Sequence, residues 1–486
     1  MKAIGILLAV ILVLISCRKD FDEINSNPNE PTIANVDYLF TQSLIKGGGQ
    51  FSTSTHSNVW TMMVWTQQMA DVNGVLNASN PYAYSDDWND ELWKEWYADV
   101  LSPVNEVIRL TEDDPYLINK HSIARIWRVF TMQRITDLWG DVPYSEALQG
   151  FNSTGDPILQ PAYDPQEDIY ADLLNELKEA TASLDAAQGN FLGADIVYNG
   201  DLDSWAKFAN SLRLRVAMRM VSANPTLAAQ HIEELLLENN FISSNQENAS
   251  IIYNAEIRNP FYELDNSGQG MRNPSQFFID QMISSDDPRI SVYCEETPSS
   301  IALGTAPYSG VPNLLSSSEL NAMNVNAFTS SAVGTYFLQE WTPVVLMGYP
   351  EVQFLISEAQ FRGFSGSGSM QSNYELGVQA AFEEVGLPTD SATIFLANGG
   401  TFDGTLKQVI TQKWITLAYK DGYEAFAELR RTGFPELTDH TGSLIDMTTL
   451  PKRLEYPISE LTLNGTNVSS VGEGINDFFT PVWWNQ

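Results

Sequence analysis

The chain has 486 residues, with 61 acids against 26 bases, a formal charge of −35, 43% hydrophobic and 11% aromatic residues. That much apolar material builds a core and excludes a disordered chain. The acidity excludes a nucleic-acid role, because binding a polyanion needs a basic face, and it equally excludes a polybasic membrane patch.

The N-terminus reads as a signal peptide over 1–16: Lys2, then an almost unbroken apolar run from Ala3 to Ile15. The run is shorter than the roughly 20 residues a membrane-spanning helix needs. It ends Leu14-Ile15-Ser16-Cys17, the pattern of a bacterial lipobox, so Cys17 is expected to carry a diacylglyceryl lipid and to become the mature N-terminus. Loss of residues 1–16 removes one Lys, leaving 25 bases against 61 acids, a net charge of −36. Cys294 is then the remaining cysteine. Its apolar surroundings, Ile290-Ser291-Val292-Tyr293, point to a buried small hydrophobe rather than a nucleophile. Residues 17–36, rich in Asn and Pro towards their end, read as a tether.

From 37 to 486 the periodicity is mainly helical. Segments 37–70, 88–110, 119–138, 165–185 and 226–239 carry helical patterns. Asp203 is expected to cap a helix whose Trp205, Phe208, Ala209, Leu212 and Val216 share one face, with Arg213, Arg215 and Arg219 pointing elsewhere. Pro350 is expected to open another helix and Gly363 to close it. A helical hairpin is expected over 405–432, turning at Asp421-Gly422, with Arg430 and Arg431 near its C-terminus. Paired helices with short connections suggest tetratricopeptide-like units, although no clean 34-residue repeat can be extracted. The expected fold is therefore mainly α, a scaffold of helical pairs with a long loop-rich insertion at about 241–348 and a second irregular stretch from about 435.

Catalytic templates are missing. The four histidines, at 56, 121, 231 and 440, form no His-Glu-x-x-His motif, and two cysteines exclude a thiolate zinc site. Glu351 and Glu358, two turns apart, read as a structural or solvated face. Asp86-Asp87-x-Asn89-Asp90 offers oxygen ligands that could hold calcium, but it departs from EF-hand spacing and suits a loop-and-cap role better. No cofactor or metal is expected. Aromatic residues set among polar ones stand out: Tyr82, Tyr84 and Trp88, then Tyr262, Tyr308 and Trp341. Flat rings beside amides and carboxylates suit sugars. The boldest expectation is an aromatic platform of Tyr82, Tyr84 and Trp88 on one polar loop, with Asn80, Asp86 and Asn89 bonding sugar hydroxyls.

Several stretches together resemble one family: Thr136–Ala147 with its Gly-Asp-Val-Pro-Tyr element, Trp205–Arg215, Asp286–Arg289, Glu351–Ala359, Gln412-Lys413-Trp414, Arg430–Pro435, Arg453–Pro457, Asn464 and Val482-Trp483-Trp484. With the lipobox and Asp20–Asn29, they resemble the SusD/RagB family of Bacteroidetes nutrient-binding outer-membrane lipoproteins, and most closely its SusD-like branch. The resemblance implies a tetratricopeptide-like helical fold. It also implies display at the cell surface of the outer membrane, held through the lipid alone. The implied partner is a SusC-like TonB-dependent transporter, to which the lipoprotein passes a captured oligosaccharide, or in some members a peptide, without catalysis. These motifs are scaffold signatures, so no ligand contact is carried over with them. The alternatives are a peptide-binding member and a surface glycoside hydrolase working through a carboxylate pair.

Overall fold

The computed structural model describes residues 34–49, 53–70, 84–150, 156–254, 257–268, 273–313, 315, 317–437, 450–471 and 476–486. The signal peptide, Cys17, most of the tether, Asn80, Tyr82 and His440 lie outside the described residues.

The helical expectation holds along the scaffold. Asn35 caps Val36–Gly48 through its side chain. Successive helices Ser102–Thr111, Ile118–Trp139, Gln166–Ala182, Leu202–Arg219 and Pro225–Glu238 each pack on the next, which is the layout of a helical-hairpin array. Tyr349–Phe361 and Met370–Glu384 form a further pair, and Leu406–Leu417 and Gly422–Thr432 form the expected hairpin.

Local chemistry sets the helix ends. Asp201, not Asp203, caps Leu202–Arg219 by accepting from Ser204 N, and Asp203 falls in the first turn, where its charge suits the dipole. Pro350 sits in the first turn of Tyr349–Phe361, and Gly363 just beyond its end takes φ +94°, a conformation strained for any side chain. Asp421 caps the second arm of the hairpin, with Gly422 its first residue.

One departure is in winding. Thr53–Met62 and Glu95–Leu101 are wound as wide π-helix, which hydrophobic periodicity does not announce. Strands among the described residues are short. Met69–Ala70 pairs with Asn273–Pro274, Val142–Pro143 with Tyr163–Asp164, and Ala249–Ile251 with Val344–Met347, all antiparallel. Two of the three bring in residues from the irregular 241–348 stretch, which otherwise carries short helices.

The arginines expected to point away from the core instead enter it. Arg215 grips Glu351 with two hydrogen bonds of 2.8 and 2.6 Å. Arg219 reaches Glu424 and Glu428, each at 2.5 Å. Lys413 lies 2.8 Å from Glu424 and 3.3 Å from both Glu351 and Glu428. Arg431 holds Glu358 and Glu428. Four cations thus face four carboxylates, all nearly inaccessible, so Glu351 and Glu358 are buried structural acids rather than a solvated face. Each guanidinium is multiply bonded, which is the condition under which buried charge is tolerated.

The quoted motifs converge here and beside it. Arg430 donates to the carbonyls of Asp137 and Lys452 and lies over the Trp484 ring. Trp139 Nε1 donates to Glu455 O, Leu454 N to Leu138 O, and Tyr456 hydroxyl to Asp141 O. Arg289 is bonded to Asp287 and Gln412. Motifs more than 300 positions apart therefore form one lock between the helical array and the C-terminal tail. Cys294 is buried as expected, and burial pushes its thiol well above the ordinary range.

Candidate functional site

The expected loop platform is in fact the start of a helix. Ser85 accepts from Trp88 N and caps Asp86–Lys94, with Asp86 and Asp87 in the first turn. The Asp-rich stretch is therefore a capped helix N-terminus. Asn89 is buried at 3% exposure, and its amide donates to Glu455 O at 2.9 Å, so it is turned into the protein and away from a ligand at the surface. Asp90 accepts from Ser459 N and Oγ. Tyr84 packs edge-on against Phe478 with centroids 4.7 Å apart, and burial raises its phenol above the ordinary range. Tyr84 and Asn89 are thus packing residues that tie this helix to the tail. Asp86 stays exposed, and with Asp477 it crowds Glu455, whose carboxyl is raised first by burial and then by these two neighbours.

Trp88 is half-buried. It stacks on His56 with centroids 4.7 Å apart and planes 8° apart, and tilts against Trp60 at 5.6 Å. His56 Nδ1 lies 3.2 Å from Glu91 Oε2. His56, Trp60 and Glu91 were absent from the sequence-derived candidates. The one available signal was the histidine at 56, and nothing in its neighbourhood distinguishes it.

A second aromatic group forms at a long-range contact. Asn259 caps the short helix Pro260–Asn266, accepting from Phe261 N at 2.7 Å and Tyr262 N at 3.2 Å. The same residue donates Nδ2 to Thr342 O at 2.7 Å, and its backbone N–H donates to Glu340 O at 3.2 Å. One asparagine thus ties the segment that carries Trp341 to the start of the helix that carries Tyr262, and this junction is the Tyr262–Trp341 edge. Trp341 is 47% exposed. Arg258 lies 3.4 Å from Glu263 and 3.2 Å from Glu340, so a guanidinium bridges carboxylates of the two joined segments. Helix Pro260–Asn266 also packs on Thr53–Met62, the element that carries His56 and Trp60. Both aromatic groups therefore belong to neighbours of one π-wound segment.

Tyr308 does not join either ring cluster. It sits beside Glu295, Glu296 and Cys294, and its phenol is raised by burial and by the two glutamates. Among the described residues no group of three or more His, Cys, Asp or Glu side chains could hold a metal ion, and no helix is long and apolar enough to cross a membrane. The exposed Trp341 indole and the donors and acceptors on the two joined segments are group types that suit the C–H faces and hydroxyls of sugars.

The model of a SusD-like family described as starch-binding and associating with the outer membrane matches residues 28–457. A chitin-binding protein of known structure superposes with a TM-score of 0.82 at 28% identity, covering 93% of this chain and all of that one. A chitin-binding SusD homologue from Flavobacterium johnsoniae gives 0.78 at 25% identity over 93% of this chain and 98% of that one. A SusD-like protein from Bacteroides thetaiotaomicron gives 0.79 at 23% identity over 93% and 98%, a likeness of fold. A search of curated protein sequences finds no match.

Proposed function

Since the chain belongs to the SusD-like family, we propose that it is a glycan-binding lipoprotein of the outer membrane that captures an oligosaccharide and does no chemistry on it. The observation that carries this reading is the exposed Trp341, on a segment that Asn259 ties to the start of the helix bearing Tyr262, with Arg258 paired to Glu263 and Glu340 across the same two segments. The sugar's C–H face stacks on the indole, and its hydroxyls bond the charged rim. A chain of net charge −35 disfavours polyanions, so the glycan is neutral. The chitin-binding proteins of similar structure support a β-linked amino-sugar polymer over starch as the first candidate.

Calorimetric titration of the purified protein with chitin and starch oligosaccharides tests the reading. Saturable binding of either, without release of shorter products, supports it. Product release would establish the hydrolase alternative, and binding of peptides in place of both sugars would establish the other.

In the same reading Cys17 carries the lipid, and the protein delivers its ligand to a SusC-like TonB-dependent transporter from the cell surface. Two acyl chains anchor stably where one does not. Mass spectrometry of the mature N-terminus should find a diacylglyceryl cysteine at 17, and a mature chain that starts elsewhere without lipid removes the anchor. Affinity purification from the native membrane should recover a much larger barrel protein with the lipoprotein.

A further inference from the structure

A cleft of about 400 Å³ opens in the helical array, lined by neither Trp88 nor Tyr262 nor Trp341. Its volume lies within the range of small-ligand sites, roughly 300–1,000 Å³. Met132 and Ile169 contribute apolar lining, and Asn105, Arg128, Tyr144 and Asp172 contribute polar groups. Helices Ser102–Thr111, Ile118–Trp139 and Gln166–Ala182 supply most of these residues, so the cleft is built on rigid elements.

Some of its polar groups are already committed. The Tyr144 hydroxyl donates to Asp172 at 2.5 Å, and Arg128 donates an Nη to Glu176 at 2.6 Å. Two groups are left over. Asn105 Oδ1 and Arg128 Nε are both buried, and neither has a hydrogen-bond partner among the described residues. Buried polar atoms rarely go unpaired. One of these is an acceptor and the other a donor, on helices that pack together.

The pair selects a chemistry. A secondary amide satisfies both, its carbonyl accepting from Arg128 Nε–H and its N–H donating to Asn105 Oδ1. An acetyl methyl would then meet the apolar lining at Met132 and Ile169. A plain hydroxyl could take both bonds but has no apolar end. Asp164, Asp168 and Asp172 in the lining outweigh the single charge of Arg128, which disfavours an anionic ligand. We propose that this cleft is a second glycan subsite, taking an N-acylated amino-sugar unit. The inference rests on the glycan reading above for the kind of molecule, while the residues that carry it are separate from the aromatic edge.

The test uses the purified protein with N-acetylglucosamine as probe, and with glucose and N-acetylglycinamide as comparators. N-acetylglucosamine should bind saturably, with both comparators at least about tenfold weaker, since a site built to pair buried polar groups rejects a ligand that leaves them alone. Asn105→Leu should weaken the sugar about tenfold. Should Asn105→Leu fold poorly, methyl-labelled methionine in the unaltered protein gives a second readout. The Met132 signal, assigned with Met132→Leu, should shift on addition of N-acetylglucosamine and stay still with glucose. Equal binding of glucose overturns the amide assignment, and equal binding of N-acetylglycinamide overturns the sugar. A silent Met132 signal at saturation overturns the site. Loss of oligosaccharide binding in Trp341→Ala with the Met132 shift retained separates this subsite from the aromatic edge. If no oligosaccharide binds the aromatic edge at all, the Met132 signal still decides the cleft.

Discussion

The buried ionic lock and the Tyr262–Trp341 edge use the same side-chain types for opposite ends. In the lock, Arg215, Arg219, Lys413 and Arg431 are matched by Glu351, Glu358, Glu424 and Glu428, and water is excluded. At the edge, Arg258, Glu263 and Glu340 sit at 3.2–3.4 Å in partly exposed pairs, where solvent competes and the groups can exchange partners. An ion pair of the first kind defines which helices meet. One of the second kind contributes little stability and leaves its donors open to a ligand. Charge content therefore says little about function in this molecule until burial is known.

The largest expected effect breaks the lock. Arg219→Ala leaves Glu424 and Glu428 short of a partner inside the protein, and removing one member of such a buried set typically costs about 3–5 kcal/mol. Denaturant unfolding should show a loss of that order, and a loss below about 1 kcal/mol would show that water reaches the site. Arg258→Ala, by contrast, should change stability by less than about 1 kcal/mol, because its partners are partly exposed.

Acid should find the lock next. Glu428 is held well below the usual carboxylate range, against burial, by Arg431, Lys413 and Arg219, and Glu424 down to about 2 by Arg219, Lys413 and Arg215. A depressed folded value means that the stabilisation is present above the unfolded value, about 4.5, and is lost as pH falls through the folded one. Unfolding free energy should therefore drop between about pH 4.5 and pH 2. Asp137, raised by burial, works in the opposite direction and blunts the fall. A curve that stays flat down to pH 2 would contradict the ionic account.

How much of this could be read from the sequence follows the same division. Apolar spacing with capping residues makes Tyr349–Phe361 and the hairpin legible, whereas Ile118–Trp139 is buried on nearly every side and carries a weaker pattern. Ordered motifs reveal the family, because the lock demands particular residues at particular places. Spacing cannot show that Arg215 and Arg219 turn inward, since their partners at 351, 424 and 428 are set by tertiary packing. The ligand side was less legible still. Asp86-Asp87-x-Asn89-Asp90 reads equally as loop or cap, and tertiary contacts decide it: Asn89 is buried against Glu455 O, and Asp90 is bonded to Ser459. The joining of Tyr262 to Trp341 depends on Asn259 meeting a segment 83 positions away.

Trp88 sharpens the comparison in the middle of the scale. Its ring stacks on His56 and packs against the core beside Trp60, so it shares the character of both regions. Trp88→Ala should lose about 2 kcal/mol of stability, from lost burial and lost ring contact. Thermal unfolding checks it, and an unchanged melting temperature would return Trp88 to the role of a free platform.

The smallest stability effect belongs to Trp341, and there the binding reading stands or falls. Its indole is 47% exposed, and among the described residues it makes no ring contact or side-chain hydrogen bond. The segment around it is positioned by backbone, since Asn259 bonds the carbonyls of Glu340 and Thr342 and not the Trp341 side chain. Trp341→Ala should therefore leave stability within about 0.5 kcal/mol. If the ring is an anchor for the glycan, the same change should weaken oligosaccharide binding by about 1–2 kcal/mol or more, the usual range for a central aromatic contact. Trp341→Phe, which keeps a smaller stacking face, should recover part of the loss. Calorimetry and thermal melts on the two variants separate the outcomes. Full affinity in Trp341→Ala would remove this edge from the site, whereas a large loss of stability would mean that the ring closes the core beneath it.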